Sequence, residues 1–259
     1  TAPPAVQAAL LRVIHERVIG DFQLPDNVRM IAAANPPEMA AGGWNLAAPL
    51  ANRFAHLSWA FGPTQLEEWR KGMMAGWPDP QVRRLPDDWK KHLPVARSIL
   101  AGFSTVRGHL ISNIPKDEDA QGRAWGSPRT WEYVTLLDAA CTSIGADRDM
   151  QLELFVACVG ESGVEYMTYR DELDLPDPKK ILAAPEKFKL PTRGDKVFAV
   201  LASVVQTAGQ DLTQAYWKAA WRVLALASKQ GASDIASVGA KQLLEMRKVE
   251  HQLPVDDVL

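Results

Sequence analysis

The sequence predicts an α/β chain that is predominantly helical, with one sheet-forming region near the N-terminus and helices over the rest. Three features predict it. Val28 to Ala34 is a continuous, mostly apolar run bounded by turn signals, the pattern of a strand buried in a parallel sheet. From Thr64 onward apolar residues recur at helical spacing. The chain has 259 residues, 47% of them hydrophobic and 23% charged, which at roughly 150 residues per domain is one large or two ordinary domains. A chain of this size buries roughly 70–75% of its unfolded surface without staples. Its 17 Gly and 18 Pro are near average usage and argue against disorder and against collagen. Its two cysteines, Cys141 and Cys158, lie in helix-like apolar stretches, which excludes a disulfide framework and fits a reducing compartment.

The elements follow in order. Pro3 and Pro4 suit the first turn of a helix, where an N–H has no partner in any case. Val6, Leu10, Val13 and Ile14 then repeat at helical spacing, and the helix ends near Arg17. Val18 to Leu24 reads as two short strands around a Gly-Asp turn. Pro25-Asp26-Asn27 is a second turn, and the run 28–34 stops at Asn35-Pro36-Pro37. Leu66 to Ala75 is a helix started by Thr64, followed by a Pro-rich stretch to Pro86. Asp87 to Ile114 holds one long or two shorter helices, and 115–126 is a polar loop. Ser127-Pro128 opens a helix with Ser as N-cap and Pro at the first helical position. Another helix runs from about Met150 to Glu161, with Tyr169 as its furthest end. Leu175-Pro176-Asp177-Pro178 and Leu190-Pro191 frame a linker-like segment. Three helices complete the chain, 195–208, 213–230 and 233–250; on the second, Trp217, Trp221 and Leu224 share a face and Gly231 stands where a C-terminal cap belongs.

Charge is evenly spread. Residues 1–62 carry four basic and four acidic residues, 63–165 carry 12 and 15, and 166–259 carry 13 and 12. No segment has the basic footprint of a general nucleic-acid binder. No apolar run approaches the length of a membrane span, and the expected setting is the cytoplasm.

Four features carry candidate chemistry, each with a plain alternative. Asn35 follows the apolar run, and ligands of open α/β sheets bind at the carboxyl ends of strands. A carboxamide there can orient a water against a phosphate. Taken alone, Asn-Pro is more commonly just a turn. Arg53, in Leu50-Ala51-Asn52-Arg53-Phe54, has the planar charge suited to a transferred phosphoryl group, yet single surface arginines are common. Arg129 stands at the second position of the helix opened by Ser127-Pro128. A cation there opposes the helix dipole at a cost of roughly 0.3–1 kcal/mol, unless an anion binds to both; a tolerated exposed arginine weighs about equally. The hairpin after Arg17 is either a projecting functional loop or a connection. Trp217 and Trp221 read as core rather than base-stacking platforms. The five histidines show no zinc spacing, and no Gly-x-Ser-x-Gly occurs.

The order of these features is more specific than any one of them. Ala2-Pro3-Pro4-Ala5-Val6-Gln7-Ala8-Ala9-Leu10-Leu11 precedes Glu16-Arg17 and the hairpin; then come Ile31-Ala32-Ala33-Ala34-Asn35-Pro36, Leu50-Ala51-Asn52-Arg53-Phe54 and Gly126-Ser127-Pro128-Arg129. Over residues 1 to about 135 this resembles the AAA+ ATPases of the MoxR group. From Gln151 onward the chain resembles the helical C-terminal region of one branch of that group, without a chemical motif. The resemblance implies that Asn35 is sensor 1, which positions the attacking water. It implies that Arg53 is the arginine finger, reaching the nucleotide of a neighbouring subunit, and that Arg129 is sensor 2, contacting the phosphates from a helical lid. The hairpin would be the pre-sensor-1 insertion.

The fold implied is the distal part of a parallel-sheet P-loop core over residues 1–62, an all-α lid over 63–170 and a helical extension over 171–259. ATP and Mg²⁺ are the implied cofactors. The implied assembly is a homo-oligomeric ring, a hexamer, that remodels a partner such as a protein with a von Willebrand factor A domain. Two departures stand out. The usual acidic residue before the finger is Asn52. No Gly-x-x-x-x-Gly-Lys-Ser/Thr occurs, and no apolar strand ending in Asp-Glu precedes Thr1. The expectation is therefore a chain that carries the sensing groups of such an ATPase and lacks its nucleotide- and metal-holding segments. The competing expectation is a nucleotide-independent helical interaction module or a degenerate regulatory ATPase. A nucleic-acid binder is the weakest of the readings.

Overall fold

The computed structural model describes residues 2–35, 44–59, 61–80, 82, 84–173, 175–211 and 213–247. Helix α1 (Pro4–Glu16) starts with Pro4 at its first position and ends at Arg17, which adopts φ 58°. Left-handed backbone at a non-glycine residue costs roughly 1–2 kcal/mol. Here it aims the Arg17 guanidinium at the following turn, where Nη2 donates to the carbonyls of Pro25 and Val28. The hairpin forms as expected: β1 (Val18–Ile19) pairs antiparallel with β2 (Phe22–Gln23), with Ile19 opposite Phe22.

The expected buried strand does not form. Residues 28–35 carry no strand geometry, and Ile31 is 94% exposed. A strand's backbone polar groups need a ladder neighbour, and among the described residues the hairpin is the only sheet. The apolar run therefore lies outside any sheet, with residues 31–35 exposed. Pro36 and Pro37, its expected stop, lie outside the described residues.

The remainder is helical, with boundaries that differ from the periodicity reading. Helix α2 (Ala48–Ala51) is one turn. Helix α3 (Pro63–Ala75) begins three residues before Leu66, with Gly62 rather than Thr64 at its cap. The stretch 87–114 resolves into a 3-10 turn at Trp89–His92, α4 (Leu93–Val106) and a second 3-10 turn at Gly108–Leu110. The polar loop contains a short α5 (Glu118–Gln121) capped by Asp117. Helix α6 (Pro128–Ile144) opens as expected at Ser127-Pro128. The next helix is two, α7 (Arg148–Val159) and α8 (Ser162–Glu172), broken at Gly160. Gly160 has φ 62°, and a Cβ there would lie 2.6 Å from the Ala124 carbonyl oxygen, so the break needs glycine.

The linker-like segment holds α9 (Pro178–Ala183). Helices α10 (Gly194–Asp211), α11 (Gln214–Lys229, capped by Thr213) and α12 (Ser233–Glu245) close the described chain. The expected end of the last helix, residues 248–250, lies outside the described residues.

Two apolar cores share α10. One gathers Ile181, Val200, Leu201, Val204, Trp217, Val223, Leu224 and Leu243 from α9 to α12. The other gathers Ile99, Phe103, Trp131, Phe155, Tyr166, Met167 and Tyr169 from α4 and α6 to α8, with Ala199 of α10. Phe103 is its hub, with ring centroids 5.3 Å from Trp131 and 5.4 Å from both Tyr166 and Tyr169. Such tilted pairs contribute beyond the area they bury. Trp217 is fully buried and its ring lies 6.1 Å from that of Trp221, so this pair packs the core. No described helix is long and apolar enough to cross a membrane.

Candidate functional site

The N-terminal segment is fastened to the helical body by polar contacts that the sequence did not signal. Gln7, on α1, is 2% exposed. Its Nε2 donates to the carbonyls of Ala2 and Asn45, at 2.8 and 2.9 Å, and its Oε1 accepts from the Ala47 N–H at 2.7 Å. This ties α1 to the start of α2. Asn45 Nδ2 then donates to Asp119 Oδ1 at 2.6 Å. The His56 N–H donates to the Ala157 carbonyl at 2.7 Å, and its ring Nε2 donates to the Ala51 carbonyl at 2.8 Å. A buried Gln in an apolar helical pattern is the one signal that could have found Gln7.

Between α1 and the exposed segment lies an open cleft of about 730 Å³. Its walls are mostly apolar: Leu10, Val13 and Ile14 of α1, Met30 to Ala34, Leu50, Phe54 and Leu57. Asn35, His56, Asp119 and Arg123 supply polar groups to the lining. Asn35 is thus placed at the end of the apolar segment, exposed, on the cleft.

Arg53 and Arg129 do not line that cleft. Both bond to residues of α2 or its C-cap. Arg53 follows the C-cap of this helix and its Nη1 donates back to the Pro49 carbonyl. Arg129 occupies the second position of α6 and is exposed. Its Nη1 donates to Asn52 Oδ1 at 3.2 Å. Between the two stands Asn52, 3% exposed. Its Oδ1 also accepts from Ser127 Oγ at 2.7 Å, and its Nδ2 donates to the Trp125 carbonyl at 3.3 Å. The structure therefore bonds Arg129 to Asn52, the chain neighbour of Arg53, while the Arg53 guanidinium turns back to Pro49 and Asn35 lines the cleft.

Local sequence explains the α6 side of this junction. Ser127 Oγ accepts from the Thr130 N–H at 3.3 Å while Thr130 Oγ1 accepts from the Ser127 N–H at 2.8 Å. This is a reciprocal cap with Thr in the place usually held by Glu or Gln. A Cβ on Gly126 would lie 2.4 Å from the Leu110 carbonyl oxygen, so glycine is needed for the chain to approach that turn before entering the helix. The Trp131 indole N–H donates to the same carbonyl at 3.0 Å.

A second polar constellation lies inside the helical body, and sequence reasoning missed it. Asp138, with its side chain 2% exposed, sits 3.0 Å from Arg170 Nη2. Tyr166 donates its hydroxyl to Asp138 Oδ2 at 3.1 Å, and Arg170 Nη1 donates to Gln151 Oε1 at 2.8 Å. Burial pushes the Asp138 carboxyl above its usual range, although the Arg170 guanidinium pulls it down. Burial, with Asp138 beside it, also raises the Tyr166 hydroxyl. The available signal was a charge on the apolar stripe of α6, since Asp138 falls in register with Trp131, Val134 and Cys141. Cys141 and Cys158 are buried, and burial pushes the Cys158 thiol up to about 12, which removes it from nucleophilic chemistry.

The arrangement can therefore present the Arg129 guanidinium at a capped helix start, a setting suited to phosphate charge. It does not suit a divalent cation: among the described residues no group of His, Cys, Asp and Glu could hold a metal ion. Comparison of the chain with protein-family models, with curated proteins and with solved structures gives no match. The resemblance to MoxR-type ATPases therefore rests on the order of residues quoted above.

Proposed function

We propose that this chain supplies sensor 1 (Asn35), the arginine finger (Arg53) and sensor 2 (Arg129) of a MoxR-like AAA+ ATPase. Such an enzyme couples ATP binding and hydrolysis to remodelling of a partner protein. In this reading residues 1–62 belong to a parallel-sheet P-loop core, 63–170 to a helical lid and 171–259 to a helical extension. The setting is the cytoplasm and the assembly a homo-oligomeric ring, a hexamer. A partner with a von Willebrand factor A domain fits the same reading. The single observation that carries the proposal is the junction at Asn52. There Asn52, the chain neighbour of Arg53, accepts from an Arg129 held at a capped helix N-terminus, where a cation opposes the helix dipole unless an anion binds. The exposed apolar run ending in Asn35 lines the cleft and gives further support, because contiguous exposed apolar surface marks a site of interaction.

The two arginines suit phosphate charge, and among the described residues no group of His, Cys, Asp and Glu could hold a metal ion. Bound ATP would offer a γ-phosphoryl group whose transfer needs positioning and charge stabilisation more than covalent chemistry. Arg129 would hold the phosphates from the lid, Asn35 would orient the water, and Arg53 would stabilise developing charge across a subunit boundary. No P-loop motif occurs in this sequence, so in this reading the nucleotide- and metal-holding groups are supplied by other residues of the same ATPase. The test is Arg53→Ala in the ATPase that carries this chain together with a P-loop. A finger is worth about 10³–10⁵ in rate, so turnover should collapse by that order while ATP binding is spared. Near-normal turnover would sink the assignment.

One observation favours a second reading, a nucleotide-independent interaction module. Helix α3 exposes Trp69, Met73 and Met74, and Trp77, packed on Gly72, is 61% exposed. A stable complex with a partner protein, formed without ATP and indifferent to Arg53→Ala and Arg129→Ala, would support that reading.

A further inference from the structure

We infer that Asn52 is a positioning residue that couples Arg129 to Arg53, and that its carboxamide keeps Arg129 releasable to a phosphate. The inference rests on the proposed function and adds a regulatory link within the same site. Both guanidinium groups rest on the end of α2: Arg53 on the Pro49 carbonyl and Arg129 on Asn52. Asn52 itself is buried and is held on three sides, by Ser127 Oγ at 2.7 Å, by Arg129 Nη1 at 3.2 Å and by the Trp125 carbonyl at 3.3 Å. It caps α2 with its own N–H, bonded to the Ala48 and Leu50 carbonyls. Any movement of Asn52 is therefore a movement of the chain at Arg53.

The residue type matters. A carboxylate here would accept from Ser127 and Arg129 but would have no proton for the Trp125 carbonyl. Its bond to Arg129 would also become an ion pair, stronger than the present bond to a neutral acceptor. An aspartate would hold the sensor on α2 in competition with the phosphate. The neutral carboxamide holds it lightly. When Arg129 turns to an anion, Asn52 still keeps Ser127 and Trp125, so the first turn of α6 stays fastened to α2. Motion of the lid on nucleotide capture is then passed through Ser127 and Asn52 to Arg53, which serves the neighbouring subunit. Asn52 touches neither phosphate nor water in this scheme; it acts through the two arginines.

Steady-state ATP turnover by the complete ring ATPase tests this. Asn52→Asp should raise KM for ATP about tenfold by retaining Arg129, with a smaller effect on kcat. The increase should vanish in an Arg129→Ala background. Asn52→Ala should leave KM near normal and lower kcat, because the turn that carries Arg53 loses its tie to α6. If Asn52→Ala does not fold, Asn52→Gln, which displaces the carboxamide by one methylene, should show the same fall in kcat. A residue that merely supported the fold would not split KM from kcat in opposite ways. Two results overturn the inference: Asn52 variants within twofold of the parent in both constants, or an Asn52→Asp effect that persists without Arg129. A parent protein with no ATP turnover overturns the proposed function and this inference together. An active parent with indifferent Asn52 variants overturns this inference alone.

Discussion

Asp138 carries a carboxylate into the packed space between α6 and α8, where Arg170, Tyr166 and Thr142 meet it. Burial raises its pKa in the folded state above the ordinary value near 4. The folded protein thus holds a proton that the unfolded chain would release. The stability this supplies is fully present below the unfolded value and is lost as pH rises through the folded value. Asp138→Asn, which stays neutral, should therefore gain on the parent as pH rises from the ordinary carboxyl value near 4 through the raised folded value. Urea midpoints measured across that range check it, and a gap that does not change with pH would contradict it. The same scale shows what sequence could and could not reveal. Arg53 and Arg129 were visible as residue types in an ordered series of motifs. Asn52 was visible only as a departure from that series, because its role lies in contacts to Ser127, Arg129 and Trp125, more than 70 residues away in sequence.

Elements with a local signal were legible, and those that depend on a distant neighbour were not. Ser127-Pro128 announced α6, and Thr213 and Gly231 bracketed α11, because caps and turn glycines act within a few residues. The hairpin was legible for the same reason. Residues 28–34 read as a buried strand, yet burial requires a second strand that periodicity cannot supply. The split between α7 and α8 was missed because the need for glycine at residue 160 comes from its φ and from the Ala124 carbonyl, not from the pattern around it. At α6 the cap also serves the junction. Ser127→Ala removes the helix cap and the hydroxyl donor to Asn52 Oδ1 together. It should cost about 1–2 kcal/mol of folding stability, measured by urea denaturation. A loss below a few tenths would show that the cap and the junction contribute little.

On the scale of the whole molecule, α10 joins the two helical cores, while the N-terminal segment is held to the body by a few polar bonds. The structure accordingly divides into a well-packed helical mass and a thinly covered segment bearing Asn35 and the cleft. The attachment runs through Asn45, Asn52 and His56, which bond to Asp119, to Ser127 and Trp125, and to Ala157. That division sets the central claim, that Arg53 acts on a nucleotide held by another subunit. The most direct measurement mixes two inactive forms of the complete ATPase, Arg53→Ala and Asn35→Ala, under conditions of subunit exchange. Each interface that pairs an intact Asn35 site with an intact Arg53 from its neighbour should recover turnover, so the mixture should be active where neither parent variant is. A mixture as inactive as its components, with exchange demonstrated, would contradict a finger acting in trans.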